Sequence, residues 1–129
     1  GLHAALSHAA HAVVVVAWDM PFVPSGLLAA LRALGESGAD AALPESGSRR
    51  GLEPMCAYYT QRCLASIERR LDDGDRRVIS FFDDVQVARL GASDVAAFGP
   101  SERLFMNVNS PEDLAVAEAH AVAVVDRRA

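Results

Sequence analysis

Lysine is absent from this 129-residue chain, and all 12 of its basic residues are arginine. A step that needs a lysine ammonium on a phosphate therefore cannot be carried by these residues. Acidic residues outnumber basic ones, for a net charge of -5. That balance argues against a general affinity for the nucleic-acid backbone, which requires a basic footprint. Aromatics amount to only 6%, so the core must be built mainly from Ala, Val and Leu. The two cysteines, Cys56 and Cys63, are not in CxxC spacing, and no His lies near enough in sequence to complete a zinc pattern. They read as two buried thiols in a reducing cytoplasm. Long apolar runs are missing too. The longest candidate, Ala12 to Trp18, is far shorter than a membrane-spanning helix and ends at Asp19. The opening segment has neither the basic cluster nor the small-residue cleavage pattern of a signal peptide. A cytoplasmic protein is expected.

What is present is globular. Hydrophobic residues make up 51% and charged residues 22%, and the length favours one domain over residues 1–129. The segment Leu2 to Ala12 is rich in Ala and Leu and reads as a helix. Val13 to Ala17, four Val and an Ala, reads as a strand apolar on both faces, as in a buried parallel sheet. Leu27, Leu28, Leu31 and Leu34 recur at helical spacing after Pro24 and Ser25, with Gly35 as the expected carboxyl-terminal cap. Asp40 to Leu43 and Pro54 to Tyr59 read as strands. Thr60 is placed to cap a helix from Gln61 to Asp72, whose Leu64, Ile67 and Leu71 form one stripe. A short helix over Arg77 to Phe82 and strands over Val85 to Leu90 and Phe105 to Val108 follow. Ser110-Pro111-Glu112-Asp113 starts a last helix, with a cap, a proline and first-turn acids in order. Strands alternating with helices predict a layered α/β domain with a largely parallel sheet.

In such sheets, ligands bind outside the carboxyl ends of the strands. Asp19 falls there, directly after VVVVAW. A carboxylate in that position can hold Mg²⁺, whose shell substrate phosphates complete; equally, it can stabilise the following turn. Asn107 and Asn109 lie two apart, so on a strand both amides face one side and suit a base, pterin or ribose edge. Turn chemistry is the alternative for the pair. Arg49 and Arg50 lie in a Gly/Ser loop and can clamp phosphates bidentately, or simply be surface charge. Arg76 and Arg77 fit surface charge near a helix end better. Asp83-Asp84 reads as a turn rather than a metal pair, and His8 and His11 as solvent-facing. Ser48 lacks the GxSxG context of a hydrolase nucleophile.

Three segments together resemble a known family. AWDMPF after the Val run is similar to the CDMPF-like motif of molybdenum cofactor guanylyltransferases and their MobA-like relatives. LEPMCAYYTQRCLASIERRLDDGDRRVISFFDDVQV resembles the family's middle segment. FMNVNSPEDLAVAE resembles its closing N-V-N-T-P-E-E-L motif. The order and spacing agree over almost the whole chain. The resemblance implies a Rossmann-like three-layer α/β/α fold, GTP and a molybdopterin-type cofactor as substrates, and Mg²⁺. The reaction implied is transfer of GMP to the terminal phosphate of the pterin with release of pyrophosphate. Asp19 then matches the metal-binding aspartate, and Asn107 and Asn109 match the asparagines of the pterin side.

The family's Gly-rich L-A-G-G-x-S-x-R-M-G-x-D-K loop, which cradles the nucleotide phosphates and supplies a Lys, has no counterpart in this sequence. The expectation is an incomplete domain that supplies the metal and pterin side, with self-association or a partner completing it. Two alternatives keep their place. One is a cytidylyl- or sugar-phosphate nucleotidyltransferase on the same fold. The other is a non-catalytic half-domain that binds a pterin or a partner protein.

Overall fold

The computed structural model describes residues 2–9, 11–47, 51–75 and 78–108, with only the backbone described at 78 and 79. In chain order these form α1 (Leu2–His8), β1 (Val13–Val16), α2 (Ser25–Glu36), β2 (Ala41–Pro44), β3 (Cys56–Tyr59), a 3-10 turn (Gln61–Cys63) leading into α3 (Leu64–Asp72), a second 3-10 segment (Val78–Asp84), β4 (Val87–Leu90), α4 (Ala92–Ala96) and α5 (Ser101–Leu104). The expected helix after Ser110 lies outside the described residues.

The four strands form one sheet in the order β1-β3-β2-β4. β1 and β2 both pair antiparallel with β3, and β2 pairs parallel with β4. β1, β2 and β4 therefore run the same way and β3 runs against them. The α/β class holds. The expectation of a largely parallel sheet holds for strand direction, but two of the three ladders are antiparallel because the reversed strand sits between β1 and β2.

Alternation along the strands divides the core in two. Ala42, Cys56, Tyr58 and Leu90 face Leu27 and Leu31 of α2, with Val95 and Leu104 beside them. Ala41, Leu43, Ala57 and Tyr59 face Leu6 of α1, Ile67 of α3 and Phe81. Helices thus lie on both sides of the sheet, the three-layer arrangement that the resemblance implies. Small side chains in the central strands bring the layers close. The tightest approach is at Gly35, where an added Cβ would lie 2.1 Å from the Tyr58 ring. Gly35 is thus a buried packing position inside α2 rather than the expected cap. The chain leaves the helix at Ser37, and Gly38 takes the positive φ of 123° that ends the turn.

Three further expectations change. β1 was read as covered on both faces, yet Val14 and Val16 are 37% and 42% exposed, because β1 is the edge strand of the described sheet and α2 packs mainly over β2 and β3. Phe105 to Val108 is not a strand; Leu104 and Phe105 close the short α5 into the core, and the residues after them run irregularly. Thr60 does not cap the helix with its side chain. Its hydroxyl instead donates to the Asp40 carbonyl at 2.8 Å.

The end of the sheet at the amino termini of β2 and β4 is fastened by Asp40. Its carbonyl accepts the Thr60 amide at 3.0 Å. Its carboxylate accepts Arg62 Nε at 2.6 Å and the Gln86 amide at 2.9 Å. On the α1 side, Gln61 Nε2 donates to the carbonyls of Leu6, Ala9 and His11 at 2.7–3.2 Å, satisfying groups that a helix end leaves open.

Gly35→Ala separates helix propensity from packing. Alanine in place of a helical glycine would gain about 1 kcal/mol, whereas forcing a methyl against the Tyr58 ring costs about 1–3 kcal/mol or more. Thermal unfolding is expected to show a lower Tm for Gly35→Ala; a rise would mean that α2 and β3 are not in close contact.

Candidate active site

Because β1, β2 and β4 run together and β3 runs against them, the carboxyl ends of the three strands and the amino end of β3 meet at one edge of the domain. The loops there are joined by backbone hydrogen bonds. Glu45 N–H donates to Leu90 at 2.9 Å, Ser46 N–H to Gly51 at 3.0 Å, and Glu53 N–H to Pro44 at 3.1 Å. A short bridge pairs Glu45 with Leu52.

Asp19 sits at this end, three residues past β1, in the turn that Met20 N–H closes onto Ala17. Its carbonyl accepts the Val108 amide at 2.8 Å. That one bond brings two segments 89 positions apart into contact and places Asn107 next in sequence to the residue that anchors on Asp19. Asp19 is half-buried, and its carboxylate has no hydrogen-bond or ion-pair partner among the described residues.

A cleft of about 430 Å³ is lined by Ser46, Gly47, Glu53, Ser101, Glu102, Phe105 and Asn107; Asp19 is not among its lining residues. A smaller hollow of about 240 Å³ continues from Ser46, Gly47 and Ser101 towards Val95 on α4. The cleft has hydroxyls, an amide, two carboxylates and one aromatic face, which suits a flat polar ring.

The predicted site residues divide accordingly. Asp19 and Asn107 stand at the same end of the sheet. Asn109, Arg49 and Arg50 lie outside the described residues, although the described flanks of the arginine loop, Gly47 and Gly51, stand at the cleft through the Ser46–Gly51 bond. Arg76 and Arg77 also lie outside the described residues. Asp83 and Asp84 do not form a metal pair: Asp84 accepts Arg70 at 3.1 Å, in a 3-10 segment. No group of three His, Cys, Asp or Glu side chains converges among the described residues.

Glu53, Ser101, Glu102 and Phe105 were not singled out in the sequence. The Pro100-Ser101-Glu102 run is a helix-start signal that marks α5, but nothing local shows that α5 faces the cleft.

The two cysteines are not candidates for catalysis. Burial pushes the Cys56 thiol up to about 12, with the nearby Glu53 adding to the shift. Burial likewise pushes Cys63 up to about 11. Both are free and buried on opposite faces of the sheet.

With this geometry in place, comparison with known proteins is informative. Residues 1–88 match the family model described as the MobA-like NTP transferase domain. The chain belongs to the MobA-like NTP transferase family. It is similar to the molybdenum cofactor guanylyltransferase of Desulfosudis oleivorans, at 32% identity over 92% of this chain and 58% of that protein. It is also similar to the probable molybdenum cofactor guanylyltransferase of Pelotomaculum thermopropionicum, at 38% identity over 94% of this chain and 58% of that protein. Among solved structures it resembles molybdopterin-guanine dinucleotide biosynthesis protein A of Archaeoglobus fulgidus. The TM-score is 0.81 at 32% identity, covering 95% of this chain and 61% of that one. The MobA-like chain thus spans 58% of the length of these curated relatives. Among its described residues, no helix is long and apolar enough to cross a membrane.

The raised thiol values have a consequence for alkaline stability. A group whose folded pKa lies above its ordinary value of 9.0 contributes stability that is whole below pH 9 and lost as pH rises through the folded value. Thermal melts are expected to fall across about pH 9 to 12, less steeply in Cys56→Ala. Below that window neither thiol should react with a disulfide reagent until denaturant is added; fast labelling of the folded protein would refute their burial.

Proposed function

We propose that this chain carries the metal-binding and pterin-binding side of a nucleotidyltransferase that moves GMP from GTP to a molybdopterin-type cofactor and releases pyrophosphate. The observation that carries this reading is the Val108–Asp19 hydrogen bond of 2.8 Å. It ties the segment of Asn107, which lines a cleft with polar groups on its wall, to the aspartate turn at the carboxyl end of β1. Membership of the MobA-like NTP transferase family supports the class of reaction, and the relatives named as guanylyltransferases support the choice of GTP.

Asp19 is the residue to hold Mg²⁺. Its carboxylate is unpaired among the described residues, and Mg²⁺ is commonly held by one or two carboxylates, with waters and substrate phosphates filling the remaining positions. The donor set fits. The ion, when bound, supplies positive charge that neutralises the triphosphate. Asn107, on the wall of the cleft, donates and accepts hydrogen bonds towards the acceptor ring, with Phe105 offering an apolar face. Asn109 is proposed for the same acceptor by the family motif, and Arg49 and Arg50 for the triphosphate, all three outside the described residues. The attacking group is a phosphate, already ionised near neutral pH, so no general base is required. The protein's contribution is positioning and charge stabilisation. The residues outside this chain's span of its relatives would supply much of the nucleotide side.

Calorimetric titration with GTP, with and without Mg²⁺, tests the reading. Mg²⁺-dependent binding is expected, weakened on the order of tenfold or more (about 1.4 kcal/mol) in Asp19→Ala. Asn107→Ala should leave GTP binding unchanged and weaken binding of the pterin acceptor. CTP binding in preference to GTP would transfer the reading to a cytidylyltransferase. A folded chain that binds neither nucleotide would support a non-catalytic module.

A further inference from the structure

The cleft at the strand ends is acidic. Among the described residues that line it are two carboxylates, Glu53 and Glu102, and no arginine. Arg103, next to Glu102, has its guanidinium against Gly99, where an added Cβ would lie 3.0 Å from Nη2. Gly47, in the loop after β2, faces Ser101 of α5, where an added Cβ would stand 3.9 Å from Oγ.

The two carboxylates are not equivalent. Glu53 is already engaged in a polar or electrostatic contact, and its charge helps to raise the Cys56 thiol. Glu102 stands exposed in the first turn of α5. It makes no hydrogen bond or ion pair among the described residues. Asn107 and Phe105 line the same cleft. No third His, Cys, Asp or Glu joins the two glutamates among the described residues, so they do not build a metal cage.

An ionised carboxylate only accepts hydrogen bonds, and it repels phosphate. Two of them in one cleft disfavour a phosphate there. They favour a flat ring with N–H groups along its edge, bound through charge-assisted hydrogen bonds. A carboxylate can accept two parallel N–H bonds at once. The ring N–H and 2-amino group of a 2-amino-4-oxo-pyrimidine present that pair. Guanine and pterin rings share this edge. Asn107, in the same cleft, is assigned to the acceptor, so the pterin is the ring taken here.

We infer that Glu102 is the specificity-determining residue of the cleft, accepting both N–H bonds from the 2-amino-4-oxo edge of the acceptor's pterin ring. The ring enters the cleft and the acceptor's phosphate stays outside it. The inference rests on the acceptor reading of this cleft and adds which group reads the ring and which end of the acceptor enters.

The probes are 6-hydroxymethylpterin and 6-hydroxymethyllumazine, in which a 2-oxo acceptor replaces the 2-amino donor. Binding of each to this chain at pH 7 is read from the probe's own fluorescence. The unsubstituted chain should prefer the pterin on the order of tenfold, as expected for a hydrogen bond to a charged group. Glu102→Gln should level or reverse that preference, because a carboxamide accepts from the ring N–H and donates to the 2-oxo group. Asp83→Asn, which removes one exposed negative charge elsewhere, should keep it. The inference is overturned if the preference survives in Glu102→Gln, if Asp83→Asn loses it equally, or if the folded chain binds no pterin. An effect of Glu102→Gln seen only with Mg²⁺ would also overturn it, since the carboxylate would then be a metal ligand. The same variants are titrated with GTP and with ITP, which lacks the 2-amino group. A GTP preference lost in Glu102→Gln, with the pterin preference unchanged, would make the edge that of guanine and overturn the assignment to the acceptor. Failure of the nucleotidyltransferase reading shows separately, as absent Mg²⁺-dependent GTP binding while pterin selectivity persists.

Discussion

β3 is the strand on which the domain depends. All four of its residues are buried, it is paired on both edges, and its side chains alternate between two separate cores. A strand in that position has no exposed edge or face on which to accommodate an error. Its neighbours must approach closely, and Gly35 of α2 does so against the Tyr58 ring. Tyr59, on the other face, is held by a 2.6 Å hydrogen bond from its hydroxyl to the Pro54 carbonyl, so even the polar atom of this large side chain is satisfied.

The direction of β3 also builds the site. Running against its neighbours, it delivers Glu53 to the end where β1 releases Asp19 and β2 releases Glu45. The opposite end is closed by the bonds that Asp40 makes to Thr60, Arg62 and Gln86. One end of the sheet is therefore fastened on Asp40, while the other carries the loops of Glu45, Ser46 and Glu53, joined by backbone bonds. That asymmetry suits a binding edge, since loops positioned by a rigid scaffold can present polar groups without unsettling the core.

Much of this was legible along the chain. The Val run, the leucines of α2 and the stripe on α3 carry their periods openly, and each became the expected kind of element. The family likeness was carried by short motifs whose order matches that of the chain. What local pattern misplaced was decided by contacts between distant residues. Gly35 resembles a cap in sequence because it follows the last leucine of the stripe; it is a packing glycine because Tyr58, 23 positions later, lies against it. Phe105 to Val108 has strand-like composition but no ladder to join, and Val108 gives its amide to the single carbonyl of Asp19. Of the site, Asp19 and Asn107 could be named from motifs. Glu53, Ser101 and Phe105 could not, since their shared cleft exists only once β2, β3 and α5 are assembled.

The sequence by itself determined the layered α/β class, the family and the position of Asp19 past the end of a strand, because these follow from side-chain periodicity and short motifs read in order. Only the tertiary structure decided that β3 runs against its neighbours, that the Val108 amide, next to Asn107, reaches the Asp19 carbonyl, and that the Val run stands at the edge of the described sheet. Hydrophobic pattern specifies which faces of an element seek burial. It does not specify which neighbour provides it, because the free energy of burial is indifferent to the identity of the covering group, whereas strand order and contact are set by hydrogen bonds and close packing between residues far apart in the chain.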